Sequence, residues 1–213
     1  VDALYRGWQA LLAQAKNLSP GHKEPELTEM LCLYLQSQRH RDRLTGLWGY
    51  ENQQGDLVFD AKGAKVTRRK RTDIRYFSNQ ESPELDLIFE FKKLDHRKAT
   101  RDKYSGEEGM LRFVTGEYSK GQPVAVMVGI LTMHLDDSVP PLIRFLNSPD
   151  AKTLLLMEAV AGKQTRTPSN FFDCAAFDTE HVRPADRAPA HGKIVISHLF
   201  LDFPELPRAM VMK

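Results

Sequence analysis

Apolar positions along the chain fall into a few distinct spacings, and each spacing predicts a different element. Leu4, Trp8, Leu11 and Leu12 recur at helical intervals, so residues 1–17 read as a first helix. After the break SPGHKEP, the stripe Leu27, Leu31, Tyr34 and Leu35 predicts a second helix over 25–41, with Pro25 tolerated in its first turn. From 44 to 70 the pattern shortens. LTGLWGY and GDLVFDAKGAKV read as short strands, with turn signals at NQQG and AKG. RTDIRYFS (71–78) predicts another strand and NQESPE its connection onward. In LDLIFEFKKLD (85–95), Leu85, Leu87, Phe89 and Phe91 alternate with Asp86, Ile88, Glu90 and Lys92. One face of that strand is apolar and the other carries charge. It is either an edge strand with a wet face or a strand whose charged face lines a site.

Further along, GEEGMLRFVTGEYSKG (106–121) predicts a helix that stops near Gly121–Gln122–Pro123. The fully apolar run VAVMVGIL (124–131) reads as a buried central strand. VPPLIRFLNS predicts a helix, continued by helical sequence from Asp150 to Val160, and residues 162–192 read as loop. KIVISHLFLDF (193–203) predicts a final strand, on which His198 lies between Ile196 and Phe200 and reads as a satisfied core histidine. No repeat, low-complexity tract or domain boundary interrupts the pattern. The expectation is one α/β domain over 1–213.

Composition changes this picture little. The chain of 213 residues is 41% hydrophobic and 27% charged, with net charge +2, an ordinary balance for a globular protein. No apolar run approaches the ~20 residues that span a bilayer. No basic region with an apolar run and cleavage site opens the chain, so the expectation is a cytoplasmic protein without a membrane partner, and the initial Val suggests that an upstream piece has been removed. Cys32 and Cys174 lack CxxC partners, which argues against a disulfide framework or a zinc site. Nucleotide-binding glycine motifs and serine-hydrolase motifs are absent, so any motor activity comes from a partner. Two basic clusters, TRRKR (67–71) and DHRKATRDK (95–103), flank the charged strand. Such runs are commonly solvated surface, but here they bracket the candidate site and suit phosphate.

The candidate chemistry lies in the order of elements. The strands of Asp73 and Glu90 can pair as antiparallel neighbours, and Glu90 and Lys92 share a strand face. Two converging carboxylates suit a hard divalent cation such as Mg²⁺. A lysine beside them supplies cationic support for phosphodiester hydrolysis. The bland reading has Asp73 simply opening a strand and Glu90 and Lys92 forming a charge pair on a wet face. Asp86 and His96 read more readily as surface than as site. Glu26 and Glu29 lie in the first turns of the second helix, where acids complement the helix dipole.

Asp73 followed by Glu90-x-Lys92, after an acid-bearing helix and before a helix and an apolar strand, resembles the PD-(D/E)xK nuclease superfamily. The resemblance covers about residues 24–131 and implies a restriction-endonuclease-like αβββαβ core with a mixed central sheet. Residues 132–213 would be C-terminal elaboration, adding helices and a strand. It implies a Mg²⁺-dependent nuclease acting on DNA, with Mn²⁺ able to substitute. Asp73 and Glu90 would be metal ligands, the Phe91 carbonyl a third, and Lys92 the catalytic lysine. The helix acid of that family, a contact through water, falls on Glu26 or Glu29, with Glu26 favoured. Thr72 stands where the signature has proline, a frequent departure. Arg112 and Tyr118 would face the scissile phosphate, or else cap or solvate their helix. Arg68, Arg69, Lys70 and Arg71 on one side, and Arg97 and Lys98 on the other, would contact nucleic-acid backbone. By analogy, such a nuclease serves restriction or phage defence, with a protein partner supplying ATPase or recognition, or as a homodimer. The alternatives are a non-catalytic nucleic-acid-binding or assembly subunit and an RNA endonuclease.

Overall fold

The strand that carries Glu90 and Lys92 lies near the middle of the sheet rather than at its edge. The computed structural model describes residues 1–38, 45–60, 63–80, 84–159 and 162–209, and from 53 to 70 the backbone alone. Two helices lead the chain, α1 (Asp2–Gln14) and α2 (Glu24–Gln38). A meander follows of β1 (Leu47–Asp60), β2 (Gly63–Ser78) and β3 (Leu85–Leu94). After α3 (Lys98–Ser105) and α4 (Met110–Val114) comes β4 (Val124–Leu131). Helices α5 (Leu135–Leu146) and α6 (Pro149–Leu154) then lead into β5 (Met157–Glu158), β6 (Thr165–Arg166), β7 (Phe177–Val182) and β8 (Lys193–Leu201).

These strands form one mixed sheet in the order β1-β2-β3-β4-β8-β7-β5, with β6 pairing β7. The three neighbours β3, β4 and β8 run parallel, and β1-β2-β3 and β7-β8 pair antiparallel. Parallel neighbours require crossovers, and helices cover both faces. On one face Trp8, Leu31 and Leu35 pack toward Phe89, Phe91, Val126 and Leu199. On the other, Tyr104, Phe113 and Leu142 pack with Ile88, Met127 and Ile196. Every residue from Leu87 to Lys92 is buried, so the charged face of β3 is enclosed. Among the described residues no helix is long and apolar enough to cross a membrane.

Several sequence expectations change. The NQQG segment does not break the strand. β1 runs through it, and Gly55 is absorbed as a register irregularity between Gln54 and Asp56. Residues 98–105, read only as part of a basic cluster, form a helix whose buried face carries Tyr104 and Ser105. The helix expected over 106–121 shrinks to Met110–Val114. It ends before Gly116, whose φ of 72° terminates helical backbone. Helical backbone after Asp150 stops at Leu154, and the expected loop over 162–192 contains β6 and β7. Their short runs of alternating residues are too brief for periodicity to distinguish from loop.

Candidate functional site

The ladder between β2 and β3 ends at Ile74–Phe89, one step before Asp73 would face Glu90. There the Asp73 side chain takes over, Oδ2 accepting the Phe91 N–H at 2.8 Å. Opposite Asp73 on β1, Glu51 has a φ of 47° and the regular pairing skips it. Asp73 and Glu90 thus meet at the point where the meander opens. Glu90 is fully buried, and Lys92 is 8% exposed.

Around these two carboxylates lie three polar side chains. The Lys92 ammonium donates to Glu90 Oε1 at 3.0 Å, to the Phe91 carbonyl at 2.6 Å and to Glu24 Oε1 at 3.2 Å. Arg112 Nη1 donates to Glu90 Oε1 at 3.0 Å and to the Tyr118 hydroxyl at 2.8 Å. Tyr118 in turn donates to the Arg71 carbonyl at the start of the Asp73 segment. Both Arg112 and Tyr118 therefore join the cluster; they do not merely solvate α4.

Electrostatics follow from this enclosure. Burial, with the Asp73 carboxylate adding to it, pushes Glu90 up to about 8, against the pull of Lys92 and Arg112. Burial also raises Asp73, offset by Lys92 and by the Phe91 N–H. Burial alone would lower the Lys92 ammonium, but Glu90, Glu24 and Asp73 together raise it, so Lys92 stays charged.

The helix acid at the cluster is Glu24, not Glu26 or Glu29. Glu24 Oε2 accepts the Lys93 N–H at 2.7 Å while Oε1 meets Lys92. Glu26 turns back to accept the Lys23 N–H at 3.1 Å, half of a capping box, and Glu29 is exposed. Helical side chains lean toward the N-terminus, so the first residue of α2 reaches past the helix end and the third folds back onto it. That directional rule is the signal that points to Glu24 in the sequence.

The basic residues distribute unevenly. Arg71 pairs with Glu51 at 2.7 Å, Arg97 with Asp95 and Lys98 with Asp102, and all three are largely exposed. The side chains of Arg68, Arg69 and Lys70 lie outside the described residues. A cleft of about 520 Å³ opens onto Lys92, lined also by Glu24, Lys93, Arg97 and Lys103. A second, of about 500 Å³, lies beside Arg112 and is walled by Glu107, Glu108 and Glu117. Asp86 is held by Arg75 at 2.6 and 2.9 Å in a bidentate pair, away from this cluster. His198 is buried between Tyr104 and Thr179, each at 2.9 Å, as a core histidine. Cys32 and Cys174 are free.

Among the described residues no group of three or more His, Cys, Asp and Glu side chains forms a metal cage. The Lys92 ammonium instead bridges Glu24, Glu90 and the Phe91 carbonyl. Glu90 Oε2, however, is buried with no hydrogen-bond partner among the described residues. An orphaned oxygen on a fully buried carboxylate is unfavourable unless a cation or proton meets it. The donors grouped here, Glu90, Asp73 and the Phe91 carbonyl, are all oxygen, the set that hard divalent cations take. No family model, curated protein or solved structure matches the chain.

Proposed function

We propose that this protein is a Mg²⁺-dependent nuclease that hydrolyses phosphodiester bonds of DNA, with Asp73, Glu90 and Lys92 at its catalytic centre. The observation that carries this reading is the fully buried Glu90 carboxylate with its orphaned Oε2, beside the half-buried Asp73, an ammonium and a guanidinium. The site's position adds support. It lies toward the carboxyl end of the parallel strand β3 and opens to a cleft, where ligands of α/β sheets commonly bind. The order α2-β1-β2-β3-α3-α4-β4 also agrees with the core implied by the superfamily resemblance, apart from a second helix before β4.

Glu90, Asp73 and the Phe91 carbonyl would hold the cation, which when bound supplies Lewis-acid polarisation of the phosphate and a more acidic water. Lys92 keeps a fixed positive charge beside that position and can donate to a phosphate oxygen or orient the attacking water. Glu24 positions Lys92 by bonding both its ammonium and the next backbone N–H. Arg112, 24% exposed, is steadied by Tyr118 and faces the same phosphate. Lys93, Arg97 and Lys103 line the cleft, where flanking phosphates would fix register without reading bases.

The test is incubation with supercoiled plasmid, linear duplex, single-stranded DNA and RNA, each with Mg²⁺, Mn²⁺ or EDTA. The expected result is metal-dependent DNA cleavage, abolished in Glu90→Gln and Asp73→Asn proteins that keep the wild-type circular-dichroism spectrum. Cleavage of RNA alone would make the protein an RNA endonuclease. DNA binding with no cleavage under any metal would make it a non-catalytic subunit.

A further inference from the structure

The β1–β2 hairpin is longer than the sheet it belongs to. β2 pairs with β3 only over Ile74–Ser78, whereas its pairing with β1 continues from Asn52–Thr72 out to Asp60–Gly63. Over residues 63–72 β2 has β1 as its only described partner. At about 3.3 Å per residue the ribbon is roughly 30 Å long, close to one turn of B-form DNA at about 34 Å. A lone two-stranded ribbon is marginal in water. This one is rooted at the candidate site: Thr72 is fully buried, the Arg71 carbonyl is held by Tyr118, and Asp73 follows directly.

Its sequence is strongly biased. The strand segments 53–60 and 63–72 contain Lys65, Arg68, Arg69, Lys70 and Arg71 against Asp56 and Asp60, an excess larger than the net charge of the whole chain, +2. Charges also guard open sheet edges against stray pairing, and over this stretch both β1 and β2 present one, since β2 has left β3 behind. Edge protection calls for charge of either sign, yet β2 carries five cations and no acid here, and β1 only the two aspartates. Edge protection accounts for charge on β2 but not for its single sign.

We propose that this ribbon is an arm that grips duplex DNA in the major groove while the candidate site at its root, beside Asp73, meets the phosphodiester. The purpose of the grip rests on the nuclease reading; the binding itself does not. The major groove of B-DNA, about 12 Å wide, admits a two-stranded ribbon. The major groove of A-form RNA is deep and narrow, and a single strand has none. The arm therefore selects duplex DNA over duplex RNA and over single strands.

The experiment uses the Glu90→Gln protein and a labelled duplex of about two helical turns, measured by anisotropy across a salt series, with duplex RNA and single-stranded DNA of the same sequence. Two arm variants are compared with the unaltered arm. One replaces residues 55–69 by Asn-Gly, closing the hairpin on the Gln54–Lys70 pair. The other keeps the arm and changes Lys65, Arg68 and Arg69 to Ala. The intact arm is expected to bind duplex DNA at least tenfold more tightly than either other ligand. Both variants should lose that preference, and the log–log salt slope should fall by about 3, at about 0.9 per lost phosphate contact. Unchanged duplex affinity and slope in both variants, or equal affinity of the intact protein for duplex RNA, would overturn the proposal. Mn²⁺-dependent hydrolysis of bis(p-nitrophenyl) phosphate by proteins with Glu90 restored separates the two readings, because that ester is too small to need the arm. No hydrolysis by the unaltered chain would count against the nuclease, and the binding series would still decide the arm.

Discussion

At the scale of single residues, the separation between Glu24 and Glu26 gives the sharpest expectation. Both are acids in the first turn of α2, yet one bonds Lys92 and the Lys93 amide while the other caps its own helix. Glu24→Gln should lower the cleavage rate by roughly 10–100-fold, the usual scale for losing a partner that orients a site group. Glu26→Gln should leave the rate unchanged and cost about 1 kcal/mol or less of stability, as a weakened cap does. Parallel measurement of turnover and urea unfolding checks both; the reverse pattern would move the helix acid to Glu26. Asp73, Glu90 and Lys92 were legible because strand alternation and antiparallel pairing place them without knowledge of side-chain direction. Glu24 was not, because first-turn acids are common and only the backward lean of helical side chains distinguishes them. Arg112 and Tyr118 could be nominated from sequence, but the link from Tyr118 to the Arg71 carbonyl depends on where α4 ends.

At the scale of elements, the C-terminal strands do more than extend the sheet. Arg183, just after β7, is buried and donates to the carbonyls of Phe113, Tyr118 and Ser119, fixing the turn that carries Tyr118. Next to it, β7 and β8 bury a chain from Tyr104 through His198 and Thr179 to His181, which ends on the Leu155 carbonyl at 2.7 Å. Burial lowers His181 to about 4 and also lowers His198, so both are neutral in the folded protein. A histidine free in the unfolded chain titrates near about 6.5. Because the folded value lies below the unfolded one, stability is complete above pH 6.5 and declines as pH falls toward 4. The loss from His181 alone should reach roughly 2–3 kcal/mol near pH 4. Urea titrations at a series of pH values check this; a flat profile across that window would mean the imidazoles are not held neutral. Little of this network is visible in sequence. His198 reads as core from its flanking Ile196 and Phe200, but its partners come from α3 and β7, elements that sequence pattern left as charged cluster and loop.

At the scale of the whole molecule, β3 was legible from its alternation and β4 and β8 from their apolar character, whereas the mixed sheet was implied only by the superfamily resemblance. The length of the β1–β2 hairpin was not, because Gly55 sits where a turn signal and a tolerated irregularity look alike. The sheet brings the point where β2 leaves β3, the carboxyl end of β3 and the start of α2 to one place, and what that place can hold decides its chemistry. Calorimetric titration of Mn²⁺ into the wild-type protein, Asp73→Asn, Glu90→Gln and Lys92→Met tests it most directly. Wild type should bind the ion, the two carboxylate variants should bind roughly 100-fold more weakly or not at all, and Lys92→Met should bind at least as well as wild type because it removes the competing ammonium while leaving the oxygen donors. Equal Mn²⁺ affinity in wild type, Asp73→Asn and Glu90→Gln, or no binding to wild type at millimolar ion, would contradict it.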